Sequence, residues 1–143
     1  MDPVVIVGKS LPMKRVFEQA QKVAPLPVTV LITGETGTGK DLIATRIHRM
    51  SGRAAGPFVP VNVGAIPREL IGSTLFGHRK GAFTGAHREY SGLFKVAEGG
   101  TLFLDEIETM DERTQVNLLR VLESKQYQPI GATEFTNSDV RIL

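Results

Sequence analysis

The sequence predicts an α/β protein built on a mostly parallel sheet covered on both faces. Unbroken apolar runs such as Val28–Ile32 and Thr101–Leu104 read as strands buried on both sides. Amphipathic stretches at helical spacing lie between them, and this alternation is the pattern of a parallel sheet with crossover helices. The chain has 143 residues, 41% hydrophobic and 22% charged, which allows one domain with an ordinary packed core.

Composition excludes several classes. There is no cysteine, so disulfides and thiolate metal sites are absent. The three histidines, His48, His78 and His87, lack the spacing of a zinc site. A net charge of +2 is too small to argue nucleic-acid binding. No apolar run approaches membrane-spanning length, and Met1-Asp2-Pro3 lacks the basic start of a secretory leader. The expectation is therefore a cytoplasmic protein with no membrane contact.

The elements follow in order. Val4–Val7 is a short apolar run closed by Gly8. Ser10 can cap a helix that accepts Pro12 in its first turn and runs to about Val23. Pro25 and Pro27 stop it before the Val28–Ile32 strand. A glycine-rich turn leads into a helix through Leu42, Ile43, Ile47 and Met50. Phe58–Asn62 reads as a second strand, Arg68–Phe76 as a helix, and Phe94–Ala97 as a short one. Thr101–Asp105 is a third strand, apolar until its last residue. Asp111 caps a helix to about Glu123, expected to bury Val116, Leu118, Leu119 and Leu122. Val140–Leu143 begins another strand, and a core strand at the terminus is what a piece of a larger protein would show.

Gly34-Glu35-Thr36-Gly37-Thr38-Gly39-Lys40-Asp41 sits between a strand and a helix, the context a phosphate-binding loop requires. Glycines there let backbone N–H groups wrap phosphate oxygens, and the helix N-terminus adds its dipole. Lys40 would neutralise β- and γ-phosphate oxygens. Asp41 takes the place of the usual hydroxyl, leaving a carboxylate as the candidate Mg²⁺ contact. Asp105 and Glu106 stand at the tip of the third strand, the edge where ligands bind in open α/β sheets. Adjacent strand residues point opposite ways, so the two acids are expected to divide the work. Asp105 would hold Mg²⁺ through its water shell, and Glu106 would polarise the attacking water. Asn62 ends the second strand. It reads either as a turn residue or as a hydrogen-bond partner that restrains Glu106.

Gly81-Ala82-Phe83-Thr84-Gly85-Ala86 places one large apolar ring in a flexible loop flanked by basic residues. Two glycines in six residues make a poor strand, and an exposed Phe on a mobile tip suits a partner contact.

Together "GETGTGKDLIA", "VPVNVGAIPRELIGSTLFGHRKGAFTGA" and "GLFKVAEGGTLFLDEIETM" closely resemble the AAA+ domain of bacterial enhancer-binding proteins, the sigma-54-dependent transcriptional activators. The resemblance covers nearly the whole chain and implies a P-loop NTPase core of three α/β/α layers, ending before the helical lid. Residues 1–143 would then be part of a sigma-54 interaction domain. It further implies that ATP lies on Gly34 to Asp41 with its base near Val7 and Gly8, with Mg²⁺ as companion. Asn62 would be the switch partner of Glu106. Phe83 and Thr84 would touch sigma-54, with Gly81 and Gly85 as hinges. The family works as a homo-oligomeric ring, typically a hexamer, on the sigma-54 RNA polymerase holoenzyme, and reaches DNA through a separate domain. By itself this chain is expected to turn over ATP slowly, because an arginine finger from a neighbour is worth ~10³–10⁵ in rate. The sequence departs from the family pattern at Asp41, Thr74, Arg79 and Lys95. Two other readings stay open at this point: a nucleotide-binding regulatory module with weak hydrolysis, and a different P-loop remodelling ATPase.

Overall fold

The computed structural model describes residues 8–143, so the short apolar run Val4–Val7, and Val7 as part of a base pocket, lie outside the described residues. Helix α1 spans Leu11–Val23 with Pro12 in its first turn, and α2 spans Lys40–Arg49. Strand β1 is Phe58–Asn62; it is followed by α3 at Ile71–Phe76 and α4 at Leu93–Val96. Strand β2, Thr101–Asp105, precedes α5 at Glu112–Ser124. Three short strands complete the order: β3 at Gln126–Tyr127, β4 at Thr136–Asn137 and β5 at Arg141–Ile142.

The main sheet has the order β1–β2–β5, with both pairings parallel. Phe58 pairs with Thr101 and the register runs to Asn62 beside Asp105, so the two polar strand ends emerge at one edge. β5 follows through Thr101 with Arg141 and Leu102 with Ile142. Beyond it, the Val30 N–H donates to the Ile142 carbonyl at 3.3 Å, which places the chain leading to the glycine-rich loop on the flank opposite β1. Helices cover both faces. Ile71, Leu75 and Phe76 of α3, Phe94 of α4 and Val121 of α5 pack with Leu102 and Leu104 on one side. Ala20 of α1 and Ile43, Ala44 and Ile47 of α2 pack with Phe103 and Leu143 on the other. Phe76 and Phe94 stack with centroids 5.2 Å apart, and Tyr127 tilts against both. Each such fully buried ring contributes about 1.5–3 kcal/mol by leaving water. The expected three-layer α/β/α arrangement is therefore present.

Two packing expectations are corrected. Val28–Ile32 forms no regular ladder and is not buried on both faces: Val30 and Ile32 reach the α1–α2 core, whereas Leu31 is 75% exposed. Side chains alternate along an extended segment, and Leu31 takes the face that opens on a cleft rather than on a layer of helices. In α5 the buried positions are Thr114 and Val121 with Leu118 half-buried, while Val116, Leu119 and Leu122 are exposed. This helix has apolar residues on more than one face, and contact with α3 and β3 selects the 114–118–121 stripe. Asp111 does cap it, accepting from the Thr114 N–H at 3.0 Å.

Arg141 is buried in the middle of this framework. Its guanidinium donates to the carbonyls of Val23, Ala24 and Val28 at 3.0, 2.7 and 3.1 Å. One side chain of β5 thereby ties down the end of α1 and the segment that leads to the glycine-rich loop. Burial, and next the charge of Arg53, lower its pKa from the ordinary arginine value.

Candidate nucleotide site and loop

The glycine-rich loop runs directly into α2, whose N-cap is Gly39. Gly37 and Gly39 have φ of 80° and 88°, the left-handed region that favours glycine, so the loop's shape depends on them. Thr38 Oγ1 donates to the Glu35 carbonyl at 2.6 Å and tightens the turn. Lys40 Nζ curls back to donate to the carbonyls of Gly34 and Glu35 at 2.8 and 2.9 Å. Its charge is thus held over the loop by two backbone oxygens, ready to exchange them for anionic ones. The first N–H groups of α2 have no partner within the helix, which with the dipole favours an anion there.

A cleft of about 520 Å³ opens beside this loop. Thr29 to Gly34, Thr36 and Lys40 line one side, and Phe103 to Glu108 line another. Lys40, Asp105 and Glu106 therefore meet in one cavity. Asp41 is in the first turn of α2, exposed and outside this lining, and Gly8 passes close to Met13 and Phe17 of α1. The two acids differ in setting. Asp105 ends β2, and its Oδ1 accepts from the Glu106 N–H at 3.0 Å. Glu106 turns the chain with φ 57°, and its carbonyl accepts from Thr109 Oγ1 at 2.9 Å. Oxygen donors of this kind suit Mg²⁺. The residues thus fit a nucleotide with its cation: Lys40 and the loop N–H groups for phosphate, Asp105 for the metal's water shell, and Glu106 for a water.

Asn62 stands beside Asp105 in the strand register, but no hydrogen bond joins Asn62 to Glu106 among the described residues. The Glu106 carboxylate instead lies against Gly64. A Cβ built there would overlap its Oε2 and would stand 3.0 Å from its Cδ and 3.3 Å from Asn62 Oδ1. Sequence reasoning missed Gly64, since a single glycine two residues past a strand end has many explanations.

The Gly81–Ala86 loop is closed at its neck by the Gly81 N–H donating to the Ala86 carbonyl at 2.8 Å. Within it the Ala86 N–H donates to the Phe83 carbonyl at 3.0 Å. Gly81 and Gly85 have φ of 78° and 98° with open space where a Cβ would be, so conformation alone restricts these positions. Thr84 is exposed and Ala86 buried. Phe83 is 38% exposed and meets the His78 ring edge-on, so one flank of the expected free tip is packed. Ala82 leans on Gly131, where a Cβ would lie 2.8 Å from its own. Arg79 and Glu89 form an ion pair across the two stems. The Gly131 contact could not be read from the sequence, because it depends on how the chain beyond α5 returns to the loop, and residue type alone does not pair the rings of His78 and Phe83.

A parallel α/β sheet with a glycine-rich loop running into a helix and two acids at the tip of β2 defines a P-loop nucleoside-triphosphatase core. The family model described as "Sigma-54 interaction domain" matches residues 6–143, and the chain belongs to that AAA+ ATPase family. It is 48% identical over 142 residues to the DNA-binding transcriptional regulator NtrC of Bradyrhizobium sp. (strain RP501 Parasponia), covering 99% of this chain and 30% of the relative. It is 50% identical over 138 residues to the transcriptional regulatory protein GlrR of Escherichia coli (strain K12), covering 96% and 31%. The chain thus spans about a third of the length of these curated relatives. Among solved structures, NtrX from Brucella abortus in complex with ATP superposes with a TM-score of 0.86 at 39% identity, over 96% of this chain and 29% of that one. The same protein in complex with ADP gives 0.87 at 39% identity, over 97% and 30%. The P-loop NTPase domain of a sigma-54 activator from E. coli shares the fold, with a TM-score of 0.59 at 18% identity, over 95% and 75%. No described helix is long and apolar enough to cross a membrane.

Proposed function

We propose that this domain binds and hydrolyses ATP with Mg²⁺ and uses the cycle to remodel sigma-54 RNA polymerase through the Gly81–Ala86 loop. The observation that carries the reading is the meeting of Lys40, Asp105 and Glu106 in one cleft. The ATP and ADP complexes of the Brucella relative support the ligand. In this reading the loop from Gly34 to Gly39 wraps the phosphates and Lys40 leaves its two carbonyls for phosphate oxygens. Bound Mg²⁺ would supply charge neutralisation on the phosphates. Asp105 orients the water shell of that ion, Asp41 stands at the helix start as a further acid, and Glu106 polarises the attacking water. Asn62, adjacent to this pair, is the switch residue that couples the acid's position to nucleotide.

The working end is the loop. Phe83 and Thr84 contact sigma-54, and the positive-φ glycines at 81 and 85 let the tip rise from its neck. Work requires that the loop meet its partner differently in each nucleotide state. A ring of subunits, a hexamer by family habit, supplies the arginine finger from a neighbour. DNA contact belongs to another domain of a cytoplasmic regulator.

The test loads the intact protein with an ATP transition-state analogue and asks for capture of purified sigma-54. Capture by the parent, lost on Thr84→Ala with nucleotide still bound, is the expected result. Equal capture by the variant would refute the loop's role.

A further inference from the structure

We propose that the groove between α3, α5 and the turn at 128–132 is a docking site for an extended acidic segment of a partner protein, seated by one apolar side chain. The groove is a second cleft, of about 510 Å³, whose lining shares no residue with the nucleotide cleft. Phe76, Val116 and Ile130 give it an apolar lining, and Phe83 stands where it meets the Gly81–Ala86 loop. Its walls are tied together. Asn117 Nδ2 donates to the Gln128 carbonyl at 2.9 Å, and Asn117 Oδ1 accepts from the Gln128 N–H at 3.2 Å. Gln128 Nε2 donates to the Ala132 carbonyl at 2.7 Å and closes the turn. The Arg79 N–H donates to the Ile130 carbonyl at 2.9 Å, which fixes the turn to the stem of the loop. A groove formed in advance loses little freedom when a chain enters it.

Charge identifies the occupant. Arg68, just before α3, and Arg113 and Arg120 of α5 line the groove, and no lysine does. Positions 113 and 120 are two turns apart on one helix face, about 10 Å along the axis. None of the three arginines forms an ion pair among the described residues. Arg120 stands over the Phe135 ring at 4.5 Å, a contact that holds its guanidinium through the ring face and leaves its N–H groups for another partner. The lining holds two acids. Asp111 is engaged in capping α5; the hydrogen bond from Thr114 first, and further the charges of Arg68 and Arg113, lower its pKa. Three guanidinium groups therefore stand against one uncommitted carboxylate, that of Glu69. Guanidinium forks bind carboxylates through paired bonds, and arginine with aromatic residues is the composition of protein contact surfaces. An extended chain covers 10 Å in about three residues, so acids three or four apart reach both arginines of α5. An apolar side chain between them would fill the lining at Phe76 and Ile130, which a nucleic-acid backbone would leave empty. Neither nucleotide nor the loop's own partner is needed for this contact.

Fluorescence anisotropy on the intact, nucleotide-free protein tests the site. The probe is a fluorescein-labelled peptide with glutamates on either side of a central leucine, and its control carries glutamines in their place. The acidic peptide should bind about tenfold tighter than the control or better, and more weakly as salt rises. Arg113→Gln and Arg120→Gln should each weaken binding about fivefold, and Val116→Asp about tenfold by setting a like charge in the groove. All three positions are exposed, so these variants should fold, which circular dichroism checks. Arg15→Gln, at an exposed position of α1 outside the groove, should bind like the parent. No binding of the acidic peptide, equal binding of the control, or an equal loss on Arg15→Gln would overturn the docking site. Tighter binding of a labelled DNA duplex at the same arginines would also overturn it, by making the groove a phosphate-binding surface. So would arginine variants that lose self-association in sedimentation but keep the peptide, which would make the groove a contact between copies of this chain.

Discussion

The ring of His78 meets that of Phe83 edge-on, with centroids 4.9 Å apart. His78 also bridges in backbone to Tyr90 and Ile130, so Phe83 rests on a residue fixed from both sides. The loop is thus docked rather than free. His78→Ala should loosen it: amide exchange from Phe83 to Ala86 should quicken by about tenfold, since local opening loses an aromatic contact. ATP affinity should stay unchanged. Unaltered exchange would show that the neck bond alone holds the loop down.

Lys40→Ala should abolish measurable ATP binding. In the proposed function the lysine would give phosphate a charge and hydrogen bonds, and loss of one charged hydrogen bond alone weakens binding about tenfold or more. The loop should keep its shape, because the Thr38–Glu35 bond does not involve Lys40. Equilibrium dialysis with labelled ATP reads the first claim and circular dichroism the second. Tight binding by the variant would refute the phosphate role.

Arg141→Met should destabilise the domain by about 3 kcal/mol, because buried carbonyls lose a charged donor. The deficit should appear in urea unfolding as a lower midpoint at an unchanged slope. A change below about 0.5 kcal/mol would mean that water replaces the guanidinium at those carbonyls.

His48 should make stability fall as pH drops below neutral. Burial lowers its pKa, a backbone contact at Gly56 partly opposes this, and the charges of Arg141 and Arg49 lower it further. Its ring nitrogen meets Thr101 Oγ1 at 2.9 Å in the core. The unfolded chain binds the proton near pH 6.5, and the folded chain binds it only at lower pH. Stability is therefore complete above 6.5 and is lost progressively as pH falls from there through the folded value. Urea midpoints at pH 8 and 5.5 should differ in the parent and converge in His48→Gln. An equal difference in both proteins would assign the effect elsewhere.

Much of the fold and most of the candidate site were legible in the sequence. Thr101–Asp105 and Phe58–Asn62 emerge with the expected bounds because their apolar runs end in polar residues. The phosphate loop and the acid pair carry their chemistry in residue type and spacing, and both reach one cleft. Val28–Ile32 and α5 were misjudged in burial for one reason. An apolar residue can face a cleft or solvent as readily as a core, and only the third dimension distinguishes them. The β3–β4 pair was missed, since strands of two residues carry no periodicity. Gly64, Gly131 and Arg141 meet partners far along the chain, and local pattern is blind to such contacts.

The Arg141 clasp also bears on the order of events during synthesis. Its three bonds span 113, 117 and 118 residues. A ribosome releases the end of α1 long before the side chain that seals it. Until then those carbonyls stay in water, and the segment before the phosphate loop has no lock on that side. Contacts between such distant residues close slowly. The glycine-rich loop of a nascent chain should therefore reach its final setting only after β5 has emerged.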